Sequence, residues 1–146
     1  MSTAARPSPR FEEVHLGDTL PELAMEITPT LIVSAALASR DFQDVHHDAT
    51  LARQHGMPDI FMNILATNGF VGRFITDWAG PEAQIRKISV RLGAPNFPGD
   101  TMRMTGTVTA TELQGGEGVI DVDVRGRNRL GDHVVASVSV SLPAGG

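Results

Sequence analysis

The chain contains no cysteine. That excludes disulfides, thiolate nucleophiles and thiolate metal sites, and fits a reducing compartment, of which the cytoplasm is the simplest. A Lys/Arg cluster is also missing. With a formal charge of -5 and a pI near 5.4, neither nucleic acid nor an anionic membrane surface suits the chain as its main partner. No stretch approaches the roughly 20 consecutive apolar residues of a membrane span. Met1 to Arg10 carries Ser, Pro and two arginines without an apolar segment, so it reads as a flexible tail and not as a secretion signal. No glycine-rich phosphate loop follows a strand pattern, and no metal-ligand cluster is visible, so neither cofactor nor metal is expected. His46, His47 and His55 lie close in sequence, at a spacing that matches no familiar zinc site.

What remains is 146 residues, enough for one domain with a real core and too few for a cofactor domain beside a substrate domain. The expected organisation is a tail over residues 1–10, one domain over 11–142 and a short C-terminal tail over 143–146. Leu23, Met25 and Ile27 alternate as in a strand. Thr28-Pro29 then places a capping hydroxyl before a proline at the first helical position, and Leu31 to Leu37 reads as a short buried helix. A polar helical turn follows between His47 and His55, ended by Gly56 and Pro58.

From Phe61 to Trp78 apolar residues cover most of a helix circumference, with Ala66, Gly69 and Gly72 between them, which predicts a long buried helix wrapped by sheet. The C-terminal half alternates with period two through Ile88–Leu92, Met102–Val108, Ile120–Val124 and Val134–Leu142, broken by turn-like segments. That pattern predicts four antiparallel strands in a meander. A long central helix wrapped by a curved antiparallel β-sheet is the hot-dog architecture, an α+β fold. It leaves an edge strand and apolar surface to be covered by a second protomer.

Asp41 and His46 sit in the run Ser39 to Asp48, between the short helix and the longer one. On one continuous helix a five-residue offset would separate the side chains by roughly 140°, so they converge only if the segment is a folded loop. A carboxylate and an imidazole so placed can share one water. Taken alone, Asp41 also reads as a cap and His46 as an ordinary surface or core histidine; the rest of the chain gives the pair its weight.

Asp41-Phe42-Gln43-Asp44-Val45-His46 resembles the D-x-N-P-[IL]-H signature of the MaoC-like, or (R)-specific, enoyl-CoA hydratase family. Arg91 to Asp100, ending Pro98-Gly99-Asp100, is similar to that family's R-x-x-x-P-x-x-P-G-D segment. Arg40 to Asp48 together with Gly56 to Asn63 resembles the small subunit of actinobacterial hydratases that act on steroid side-chain CoA esters and pair with a second MaoC-like chain. The chain departs from the family at Gln43-Asp44, where members usually carry Asn-Pro, and at Met62-Asn63, where they usually carry His-Gly.

The resemblance implies a lyase: hydration of a trans-2-enoyl-CoA to a (3R)-3-hydroxyacyl-CoA in steroid (cholesterol-type) side-chain β-oxidation, with CoA as part of the substrate and no cofactor. Asp41 and His46 would hold the water. The backbone N–H of Asn63 would stand where the family's glycine binds the thioester oxygen. The implied partner is a homologous MaoC-like subunit in a heterodimer or heterotetramer. Phe42 is the candidate pocket wall, whereas Phe61, Phe70, Phe74 and Trp78 at helical spacing read as core. Arg73, Arg86, Lys87, Arg91 and Arg103 read as solvated charges and none is assigned to the CoA phosphates. Two other functions stay open at this point, a hot-dog acyl-CoA thioesterase and a non-catalytic acyl-CoA-binding subunit. The first usually needs a carboxylate on the central helix, where this chain has Asn63, Thr67 and Asn68.

Overall fold

β-Branched residues at every second position make the three longest strands, β3 (Thr101–Gln114), β4 (Glu117–Asn128) and β5 (Gly131–Leu142). Their register sets Val108 opposite Val122 and Val122 opposite Val138, so one face carries a continuous apolar surface that includes Met104, Ile120, Val124 and Val140, all fully buried. The computed structural model describes residues 6–145. Of the expected tails, residues 1–5 and 146 lie outside the described residues. Ser8 is buried, and its hydroxyl accepts the N–H of Glu82.

The sheet has five antiparallel strands in the order β1-β3-β4-β5-β2, with β1 at Leu23–Glu26 and β2 at Gln84–Leu92. The expected four-strand meander therefore holds for β3 to β5 only; β2 lies against β5, Ile88 opposite Val138. The reason is the segment after β2. Gly93 and Ala94 donate their N–H groups to His133 O and Asp132 O, and Asn128 Nδ2 donates to Pro95 O. These bonds lead the chain past the ends of β5 and β4 to the start of β3. Gly99, with φ +91°, makes the last turn, and its N–H reaches Ile27 O while Ile27 N–H returns to Asp100 O. Register shifts at Ile85/Lys87, Val108/Ala110 and Gly126/Arg127 bend the sheet.

Among the described residues one long helix packs against the sheet, and two shorter helices precede it. α1 (Pro29–Ala38) has Thr28 as its cap and Pro29 in its first turn, and α2 (Ala49–Gln54) is capped by Asp48. The long helix α3 (Ile64–Ala79) starts after Asn63, three residues later than apolarity alone suggests, because Asn63 is extended and Met62 N–H donates to Asn96 O. Ala66, Thr67, Val71, Phe74, Ile75 and Ala79 form its buried face. Gly106 lets that face approach the sheet: a Cβ there would lie 2.9 Å from Phe74 Cε1. The sheet covers one side of α3, leaving Ile64 and Leu65 about half exposed. β2, with most of its residues exposed, is a free edge.

Candidate active site

α1 ends in a tight reversal. Ser39 Oγ donates to Ala35 O, Arg40 N–H to Leu37 O, and Asp41 N–H reaches back to Ala36 O. Arg40 has φ +56°, a left-handed conformation that costs a non-glycine residue about 1 kcal/mol. This turn moves Asp41 out of the helical path. One 3-10 turn, Asp44–His46, then brings His46 inward, where it is buried with its ring edge-on to Phe61 at 4.9 Å between centroids.

The two side chains meet as the loop reading requires, His46 Nε2 3.4 Å from Asp41 Oδ2. The other ring nitrogen, Nδ1, lies 2.6 Å from Phe61 O. A carbonyl only accepts, so Nδ1 carries the hydrogen and Nε2 presents its lone pair to the carboxylate when the imidazole is neutral. Two acceptors then face each other, an arrangement satisfied by a proton between them or by a water donating one hydrogen to each.

Asn63 closes the group. It is 2% exposed; its Oδ1 caps α3 by accepting Ala66 N–H, and its Nδ2 donates to Asp41 Oδ2 at 3.1 Å and to Ser39 Oγ at 2.9 Å. Its backbone N–H has no acceptor among the described residues, and it lies at the positive end of a helix of 16 residues. The side chain's contact with Asp41 is absent from the sequence reading, which considers only the backbone N–H.

A second buried polar group lies one helical turn further along α3. His133, on β5, is 2% exposed; its Nδ1 donates to Ala94 O and its Nε2 accepts the Thr67 hydroxyl, each at 2.8 Å. Burial lowers the pKa of His133 below the ordinary 6.5. Nothing in its spacing pointed to this contact, since Thr67 is distant in sequence.

The remaining candidates are more dispersed. Phe42 is 66% exposed and lines an open hollow of about 760 Å³ with Val45, His47, Met57 and Phe61; Asp41, His46 and Asn63 are not among its lining residues. His55 lies against Asp44 at 3.6 Å, apart from the Asp41–His46 contact. No group of three or more His, Asp and Glu is placed to hold a metal among the described residues. Arg73, Arg86 and Arg103 pair with Asp77, Glu117 and Glu22. Pro98-Gly99-Asp100 is a structural anchor, its buried carboxylate accepting the N–H groups of Thr101 and Arg129.

A family model described as MaoC like domain matches residues 11–128. The chain belongs to the MaoC-like family. It is 53% identical over 127 residues, 87% of its length and 95% of the relative's, to the 3-oxo-4,17-pregnadiene-20-carboxyl-CoA hydratase beta subunit of Mycobacterium tuberculosis. A chain of the crystal structure of the ChsH1-ChsH2 complex from Mycobacterium tuberculosis superposes with a TM-score of 0.82 at 52% identity, covering 88% of this chain and 98% of that one. The fold is shared with more distant proteins. The unliganded R-hydratase PhaJ1 of Pseudomonas aeruginosa superposes with a TM-score of 0.85 at 18% identity, over 97% of this chain and 90% of that one. These matches agree with the hot-dog architecture expected from element order. No helix among the described residues is long and apolar enough to cross a membrane.

Proposed function

We propose that this MaoC-like chain is the catalytic subunit of a heteromeric hydratase, adding water across the trans-2-enoyl thioester of a steroid side-chain CoA ester. The observation that carries the reading is the facing of Asp41 Oδ2 and His46 Nε2 at 3.4 Å, with the imidazole tautomer fixed by Phe61 O. A water that donates one hydrogen to each group turns an oxygen lone pair outward. As that oxygen bonds to C3, one of its protons passes to the pair and the C2–C3 π electrons move toward the thioester oxygen. The pair then returns the proton to C2. The net change is one water added, with nothing oxidised or reduced.

The enolate-like oxygen needs a donor in the transition state, and Asn63 N–H at the N-terminus of α3 supplies it. The first two turns of α3 offer Asn63, Thr67 and Asn68 and no carboxylate, which favours hydration over hydrolysis. The relatives' names, a pregnadiene-carboxyl-CoA hydratase beta subunit and a two-protein complex, support the substrate class and the partner, and the surface supports the second point. The free β2 edge carries partly exposed Ile85 and Leu92, and Ile64 and Leu65 on α3 are also uncovered, a face suited to a homologous MaoC-like subunit.

The test is the loss of conjugated enoyl-thioester absorbance with short-chain and steroid 2-enoyl-CoA, using this chain alone and with a homologous MaoC-like partner. Turnover that needs the partner and drops at least about 100-fold in Asp41→Asn and His46→Ala, with folding and assembly intact, supports the proposal. Turnover that persists in Asp41→Asn sinks it.

A further inference from the structure

Asn63 stands at a helix N-cap, where a side-chain acceptor is all that the cap demands and Ser or Asp would serve as well. Its network fixes the amide's orientation. Ser39 Oγ gives its hydrogen to Ala35 O and so acts as an acceptor toward Asn63, while Ala66 N–H requires an oxygen; Nδ2 must therefore face Ser39 and Asp41. Asp has no hydrogen to donate, and a Ser hydroxyl is one bond short of the place where Nδ2 stands. Asp41 Oδ2 consequently lies between the Asn63 amide at 3.1 Å and His46 Nε2 at 3.4 Å, while among the described residues Oδ1 meets only Gln43 N–H, at 3.4 Å.

We propose that the side-chain amide of Asn63 is a positioning residue for the hydration step, acting through Asp41. It sets which carboxylate oxygen faces His46 and keeps that oxygen an acceptor, so the water is held in one orientation. This role rests on the function proposed above. It is separate from the oxyanion contact, because every residue except proline keeps a backbone N–H at this position.

Asn63→Ser and Asn63→Asp keep the cap and the backbone N–H and remove the amide donor. Each is assayed in the assembled complex with a short trans-2-enoyl-CoA, beside Asp41→Asn and the double variant Asp41→Asn with Asn63→Ser. The expected result is a fall in kcat of about 10- to 100-fold in both single Asn63 variants, the loss of one hydrogen bond to a charged group. In Asn63→Ser, which adds no charge beside Asp41, KM and the melting temperature stay near the parent's, and the double variant is no slower than Asp41→Asn alone. If either Asn63 variant folds normally and keeps its kcat within about twofold of the parent's, the inference falls while the Asp41–His46 assignment stands. A loss that appears in KM, or that follows the melting temperature in both variants, makes Asn63 a cap only. Persistent turnover in Asp41→Asn removes both proposals.

Discussion

His133 is buried and titratable yet takes no part in the proposed hydration, which makes it a clean probe of how the fold holds α3 in place. Its neutral form is the one the structure accommodates, with Nδ1–H directed to Ala94 O and the Nε2 lone pair receiving the Thr67 hydroxyl. Protonation would put a hydrogen on Nε2 facing that hydroxyl, which would have to turn toward the longer 3.4 Å contact with Asn63 O. Burial already disfavours the charged ring, so the folded-state pKa lies below the unfolded value of 6.5. A depressed histidine pKa means that below 6.5 the unfolded chain binds more protons than the folded one. The stabilisation is complete above that value and is lost as pH falls toward the folded pKa. Each pH unit below 6.5 over which the unfolded ring is protonated and the folded ring stays neutral removes at most about 1.4 kcal/mol. The assay is urea unfolding at about pH 7.5 and about pH 5.5 for the parent and for His133→Gln, which leaves the other histidines in place. The parent should lose more stability than the variant on acidification. Equal losses would refute the claim that His133 is held neutral.

Two substitutions test the backbone and the packing that build the site. Gly106→Ala places a methyl 2.9 Å from Phe74 Cε1 and should cost about 1–3 kcal/mol by overpacking; Phe74→Leu in the same chain should recover part of that in a thermal melt. Failure of the smaller side chain to help would mean that the clash is not with Phe74. Arg40→Gly should leave stability unchanged or raise it by up to about 1 kcal/mol, because relief of the left-handed conformation is offset by a more flexible unfolded chain. A marked loss in denaturant unfolding would show instead that the Arg40 side chain holds the loop.

The parts of the fold that could be read from sequence were those decided locally. Alternation over Ile120–Val124 and Val134–Leu142 needs only a buried face, and β4 and β5 lie there; Thr28-Pro29 and Asp48 cap the helices that follow them. The Asp41–His46 contact was also legible, because a five-residue offset converges only off a helix and the chain leaves the helix at Arg40. The position of β2 was not, because strand alternation is blind to which neighbour a strand pairs with. That choice is made by bonds from Gly93, Ala94 and Asn128 across the sheet end. Likewise the apolar circumference of α3 suggested complete burial, whereas one protomer covers only part of it and leaves Ile64 and Leu65 exposed.

The site followed the same rule at the scale of single atoms. A backbone N–H at a helix start can be anticipated from the element boundary, because every N-terminus leaves such donors unpaired. The Asn63 amide on Asp41 cannot, since it depends on a reversal 22 residues earlier bringing that carboxylate alongside. The Asn63 side chain joins the start of the central helix to the loop that carries the proposed acid-base pair. A shift of α3 would move the proposed oxyanion donor and the amide on Asp41 together, because both belong to Asn63. The geometry therefore couples the two halves of the proposed reaction through one residue, and a substitution that keeps the backbone but loses the amide separates them.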